Sequence, residues 1–171
     1  IRYGCFVCNR PRLVPMSLRI GFGFDVHRLD EGQPFFLGGI KIPHSKGAVG
    51  HSDADVLIHT ICDAILGAAD LRDIGFHFPD TDGKYKGIDS KILLKDVMAL
   101  VRKEGYEISN IDATIALQVP KINPYVPEMK SVLAQTMGVS PGQISIKATT
   151  TEKLSFVGRE EGISAYAVAL I

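Results

Sequence analysis

The 171-residue chain carries no net charge, its 19 Lys and Arg balancing 19 Asp and Glu. No global field therefore draws it to nucleic acid or to a membrane surface, and any anionic ligand must be held by local groups. No apolar run approaches the roughly 20 residues needed to span a bilayer. There are only three cysteines. An odd number gives no disulfide framework, which points to a reducing compartment. Internal repeats and low-complexity segments are absent as well. What remains is a chain with 46% apolar residues, enough for one domain with a real core.

Residues 1–17, "IRYGCFVCNRPRLVPMS", differ from the rest. They hold three Arg, no acid, and Cys5 and Cys8 as a lone C-x-x-C. One such pair lacks the two further ligands of a closed zinc site. The stretch is expected to be a leader or an appended extension outside the domain, a metal or redox role being the other reading. The domain is then 18–171.

In "LRIGFGF", Leu18, Ile20, Phe22 and Phe24 alternate with Arg19, Gly21 and Gly23, which is strand periodicity. "PFFLGGIKIP" reads as a second strand region, its glycine pair suggesting a bulge. "HSDADVLIHTICDAILGAAD" predicts a helix capped by Ser52 or Asp53 and running to about Asp70. A second helix starts near Ser90 and stops at Gly105. A third has Asn123 as N-cap, Pro124 in the first turn and Gly138 as its stop. "ISNIDATIALQV", "QISIKATT" and "GISAYAVALI" read as strands. The expected fold class is α/β (α+β): a single mixed β-sheet with helices packed on one face, in a ferredoxin-like arrangement. Three helices cover only one face. Ile115, Leu117, Ile144, Ile146 and Val168 are expected on the other.

Asp25 and His27 close the first alternation. Residues i and i+2 of a strand share a face, so these two side chains either hydrogen-bond to each other or close on one metal ion. The helix from Asp53 is apolar nearly all round. Asp55, His59 and Cys62/Asp63 form one narrow polar stripe on it, since steps of four keep residues on one face. That stripe is either a thin solvated face or a source of ligands; it contains no Lys or Arg. One Asp and two His would leave the fourth position of a tetrahedral zinc open, and Asp63 could hold the second nitrogen of a ligating His59. His51, just before the helix, suits phosphate contact better than metal ligation. Cys62 reads as a packed helix residue, His44 and His77 as surface residues. "DIGFHFPDTDGKYKG" is a turn-rich loop, either simply solvated or built to hold a hydroxyl-rich ligand. "KATTTEKL" is either a strand end with a helix cap or a phosphate cradle, in which Glu152 holds an oxygen-loving cation and Lys153 supplies a point charge. "GREEG" reads as a turn.

Together, "GFDVHRL", "LGGIKIP", "HSDADV", "DIGFHFPDTD", "KGIDS", "GYEISNIDATI", "QVPKINPY" and "IKATTTEKLSFVGREEGI" closely resemble the 2-C-methyl-D-erythritol 2,4-cyclodiphosphate synthase family of the non-mevalonate isoprenoid pathway. The resemblance runs from Leu18 to Ile171. It implies a lyase that cyclises 4-diphosphocytidyl-2-C-methyl-D-erythritol 2-phosphate and releases CMP. It implies a homotrimer with active sites between subunits, whose neighbouring sheets cover each other's open faces. Asp25, His27 and His59 match the zinc ligands, and Glu152 the ligand of a second cation, Mg2+ or Mn2+. His51 and Thr150 match the transition-state-stabilising positions. Ser52, Asp73, Ile74, Gly75, Phe78, Pro79, Asp80, Thr81 and Asp82 match the erythritol-phosphate segments. Leu117, Gln118, Val119, Pro120, Lys121, Ile122, Asn123, Thr149 and Thr151 match the cytidine and phosphate segments. Phe156 and Arg159 match positions facing a central channel that takes isoprenoid diphosphates. The sequence departs from the family at Phe22 (often His), Ala54 (commonly Gly, read as a small change at a helix start) and Asn123 (often apolar). The resemblance places the protein in the cytoplasm of a bacterium, or in the plastid stroma of a eukaryote. No nucleic acid or membrane partner is expected.

Two other functions fit the same residues. One is a zinc phosphohydrolase in which the three ligands activate a water. The other is a non-catalytic trimer that binds isoprenoid diphosphates.

Overall fold

The computed structural model describes residues 18–171; the Cys5/Cys8 pair lies outside them. Seven strands and five helices follow one another: β1 Ile20–Glu31, β2 Phe36–Leu37, β3 Ile40–Lys41, β4 Lys46–Val49, α1 Val56–Ala68, α2 Ile74–His77, α3 Ser90–Lys103, β5 Asn110–Ala116, α4 Val126–Met137, β6 Ile144–Thr149, α5 Ser155–Gly158 and β7 Gly162–Leu170. The main sheet has the order β4-β1-β7-β5-β6. Only β5 and β6 are parallel; the other neighbours are antiparallel. It is the expected mixed sheet.

Small residues decide how this sheet meets α1. A Cβ on Gly21 would stand 2.0 Å from the Ala64 carbonyl oxygen, and one on Gly23 2.0 Å from that of Thr60. Glycine alone permits this approach. Ala165 pairs across from Asp25, and Ala167 from Gly23, so β7 presents alanines to the same face. The large residues of the alternation point the other way. Ile20, Phe22 and Phe24 are 72%, 64% and 47% exposed, and Tyr166 lies against Phe24 with ring centroids 5.1 Å apart.

The open apolar face is thus real, but its residues differ from those expected. Ile115, Leu117, Ile144 and Ile146 are buried in the core, and of the expected set only Val168 shares the face of Phe22, its register partner. Periodicity identifies two faces without saying which one packs; here the small-residue face takes the helix.

The caps also shift from expectation. The N-cap of α1 is Asp55, whose carboxylate accepts from the Ile58 N–H. The Gly38-Gly39 pair is the two-residue turn of the β2–β3 hairpin, not a bulge, with φ of 62° and 80°. Both are left-handed, as a type I′ turn requires. Their N–H groups donate to the Asp55 carboxylate at 2.9 and 2.6 Å, which ties the hairpin to the helix start. Asp89 caps α3, and Gly105 follows that helix at φ 86°. Asn123 opens a 3-10 turn, Asn123–Tyr125, and does not cap α4. Gly138 ends α4 in the left-handed region. No helix among the described residues is long and apolar enough to cross a membrane.

Candidate active site

β1 continues past its apolar alternation, so Asp25 and His27 sit within the strand on the Gly21/Gly23 face, toward α1. One turn into α1, His59 meets them. Asp25 Oδ2, His27 Nε2 and His59 Nδ1 form a triangle: 3.0 Å from Asp25 to His27, 3.1 Å from Asp25 to His59, and 3.1 Å between the imidazoles. Metal bonds of about 2.0–2.1 Å in tetrahedral geometry set ligand atoms roughly 3.3 Å apart. The triangle is close to one face of that tetrahedron. Its donor set, one carboxylate and two imidazoles, suits zinc.

The three groups polarise one another. Burial alone would raise the Asp25 carboxyl, but hydrogen bonds and charge from His27 and His59 outweigh it and hold it well below the usual carboxylate range. Burial would likewise lower His59; the Asp25 carboxylate reverses this and raises it above 6.5.

Neighbouring residues take other roles than the helical stripe suggested. Asp55 is wholly buried as the N-cap. Burial raises its carboxyl despite three backbone donors. Asp63 does not hold His59: its Oδ1 accepts the Ile74 N–H at 2.8 Å and so anchors α2. The second nitrogen of His59 instead meets the hydroxyls of Ser52 and Ser90, both at 3.0 Å. Ser90, and Asp53 behind it, are the residues that sequence reading missed. Cys62 is fully buried, as expected. His44 and His77, expected at the surface, are half-buried; His77 Nε2 donates to the Leu71 carbonyl at 2.8 Å, and His44 lies against Phe35.

Many of the remaining candidate residues line two clefts with no lining residue in common; Pro79, Thr81, Val119 and Thr151 line neither. The first, of about 350 Å³, holds His27, His51, Ser52 and His59 together with Ile74, Gly75, Phe78 and Asp80. His51 Nε2 donates to the Asp82 carbonyl at 3.3 Å, which joins the α1 entry to the loop. Asp73 and Asp82 cap the short turns of that loop by accepting the Phe76 and Lys84 N–H groups, and Phe78 lies edge-on to Tyr85. The second cleft, about 420 Å³, is lined by Leu117, Gln118, Pro120, Lys121, Ile122, Asn123, Thr149 and Thr150. The Val119-Pro120 bond beside it is cis. Glu152 lies just beyond in an exposed turn at φ 51°, its Oε1 accepting from the Thr150 hydroxyl at 3.1 Å; it caps no helix. Phe156 and Arg159 are in neither cleft. Arg159 pairs with Glu161 through two contacts of 3.0 Å.

The sequence model of the YgbB family matches residues 18–171, the whole of the described structure. The chain belongs to the YgbB family. Among its curated relatives, the 2-C-methyl-D-erythritol 2,4-cyclodiphosphate synthase of Porphyromonas gingivalis is 69% identical over 153 residues, covering 90% of this chain and 94% of the relative. That of Parabacteroides distasonis is 65% identical over 156 residues, covering 91% and 97%. Of solved structures, the bifunctional IspDF of Campylobacter jejuni superposes with a TM-score of 0.87 at 44% identity, over 90% of this chain and 42% of that one. Plasmodium falciparum IspF in its CDP complex gives 0.79 at 35% identity, over 90% and 95%. Within this YgbB chain, Ala54 has φ 58°. It therefore lies in the left-handed region ahead of α1 and not inside a helix start, a conformation that costs an alanine more than a glycine.

Proposed function

We propose that this chain converts 4-diphosphocytidyl-2-C-methyl-D-erythritol 2-phosphate into 2-C-methyl-D-erythritol 2,4-cyclodiphosphate with release of CMP. The observation that carries the reading is the Asp25/His27/His59 triangle, whose two imidazoles line a cleft that also holds His51, Ser52 and Asp80. An oxygen of the 2-phosphate forms a bond to the β-phosphorus. The bond from that phosphorus to the oxygen bridging to CMP breaks, and CMP leaves with the electron pair. No protein nucleophile is required.

Asp25, His27 and His59 would hold zinc, and Glu152 with the threonine turn a Mg2+ or Mn2+ ion. Those cations would supply neutralisation of phosphates that otherwise repel each other. His51 and Thr150 would donate hydrogen bonds where charge builds up on the reacting phosphorus. Asp73 to Gly75, Phe78 to Asp82 and Ser52 would bind the erythritol phosphate, while Leu117 to Asn123 and Thr149 to Thr151 would bind the cytidine diphosphate side. Orientation is then the main task of the protein.

The cytidine and metal halves of this site lie in separate clefts, which supports a homotrimer whose active sites lie between subunits. The exposed Ile20, Phe22 and Phe24 supply a face for that assembly. Phe156 and Arg159 would then border the central channel, where an isoprenoid diphosphate can bind. Residues 18–171 form the catalytic domain in this reading, residues 1–17 lie outside it, and the enzyme acts in the cytoplasm.

The test is product analysis by mass spectrometry, with the substrate, zinc and magnesium. The expected result is the cyclic diphosphate and CMP in equal amounts. Free phosphate with no cyclic product would instead identify a phosphohydrolase. An absence of turnover with retained isoprenoid diphosphate binding would identify a binding protein.

A further inference from the structure

The Ser90 hydroxyl lies at the start of α3 and is fully buried. His59 Nε2 is 3.0 Å away, Ser52 Oγ 3.3 Å, and Asp53 Oδ1 closer still in a short contact. Asp53 is itself fixed on every side. Its Oδ2 accepts the Ser90 N–H at 3.1 Å, its Oδ1 accepts the Asp55 N–H at 3.2 Å, and its own N–H donates to the Ile88 carbonyl at 3.0 Å. A carboxylate can only accept. The Ser90 proton therefore points at Asp53, and only its lone pairs remain for His59. Nε2 must then carry the ring proton, which leaves the lone pair on Nδ1, the atom that faces Asp25 and His27.

We propose that Asp53 and Ser90 form a relay that fixes the tautomer and ring orientation of His59 for metal binding. Ser90 is a positioning residue that touches no substrate. Ser52, which lines the cleft as Ser90 does not, stays free to turn its proton toward a ligand. Outer contacts of this kind are worth about 10–100-fold in metal affinity. The chain brings the relay together across 31 and 37 residues, from two segments, the entry and first turns of α1 and the start of α3, that meet only in the fold. The inference rests on the zinc reading of the triangle.

The experiment measures zinc affinity by competition with a chromogenic chelator, on the full chain and on variants, beside the melting temperature of each metal-free protein. Ser90→Ala should weaken zinc about 10–100-fold with the metal-free melting temperature little changed. Ser90→Thr, which keeps the hydroxyl, should recover most of the loss. Unchanged affinity in Ser90→Ala, with the parent binding zinc, overturns the relay and leaves the functional reading standing. So does zinc loss in Ser52→Ala but not in Ser90→Ala. If Ser90→Ala does not fold, Asp53→Asn decides: weaker zinc supports the relay, and parental affinity overturns it. A parent whose zinc content is untouched by His59→Ala overturns both the site reading and the relay.

Discussion

Nε2 of His27 and Nδ1 of His59 stand 3.1 Å apart, and one oxygen of Asp25 lies within 3.1 Å of both. Without a cation, only protons can reconcile these atoms. His59 is raised above its ordinary 6.5, chiefly by Asp25 working against burial. A raised imidazole stabilises the fold fully below 6.5 and loses that contribution as pH rises through its folded value. Asp25, depressed below 3.8, contributes above 3.8 and loses it as pH falls through its folded value. The metal-free protein therefore draws stability from the cluster between these limits. A cation must displace the His59 proton. Zinc added at pH 6.5 should release protons into a weakly buffered solution, and the release should shrink as pH rises. Zinc uptake with no proton release at pH 6.5 would contradict this account of the cluster.

The approach of β1 to α1 depends on a missing side chain. A Cβ on Gly23 would meet the Thr60 carbonyl oxygen at 2.0 Å and the Ala64 nitrogen at 2.8 Å, both backbone atoms that cannot turn aside. Gly23→Ala should cost about 3 kcal/mol or more, at or beyond the upper end of ordinary overpacking. It should also displace Asp25 and His27 from His59, so zinc affinity falls with stability. Urea denaturation and chelator competition on one preparation check both. A stability within about 0.5 kcal/mol of the parent, typical of a harmless surface change, would show that the helix can move away.

The metal triangle could be read from the sequence because each half of it follows a local period. Asp25 and His27 share a strand face, and His59 stands on a helix whose polar positions are few. The same period misread Asp55 and Asp63. Asp55 sits at the helix boundary, where a carboxylate serves the free N–H groups, and Asp63 turned to the backbone of α2. Ser90 and Asp53 left no sequence signal, because the contacts of Ser90 with His59 and with Asp53 exist only once α3 is docked on α1. The open sheet face was misassigned for a related reason. β7 alternates Ala165, Ala167 and Ala169 with Tyr166, Val168 and Leu170, and both sets are apolar. Close approach to a helix selects the alanines.

The exposed large residues of β1 make assembly testable. Phe22 is 64% exposed and flanked by Ile20 and Phe24 on the same face, a patch that water covers unfavourably. Phe22→Glu would bury a charge in any sheet-to-sheet contact made there. Light scattering should show a trimer for the parent and a monomer for the variant. Zinc content should persist, since the triangle lies on the opposite face, whereas product formation should drop because the two clefts no longer meet. A variant that remains trimeric would move the interface elsewhere.

Glu152 offers a test of whether the proposed second cation acts separately from zinc. It follows three threonines in an exposed left-handed turn, and its nearest polar partner is the Thr150 hydroxyl at 3.1 Å. A carboxylate beside hydroxyls is a hard oxygen site that prefers magnesium or manganese, while two imidazoles prefer zinc. Glu152→Gln keeps the size of the side chain and its acceptor oxygen for Thr150, but removes the charge. Zinc content should therefore match the parent. Cytidine nucleotide affinity should change little, because the Leu117–Asn123 segment is untouched. Cyclic product should fall by at least about 100-fold, the scale on which removal of a charge-stabilising group acts. All three are measured on one preparation, with magnesium varied. Recovery at high magnesium would show that the glutamine still recruits the ion weakly, and full activity at low magnesium would show that Glu152 holds no cation needed for the reaction.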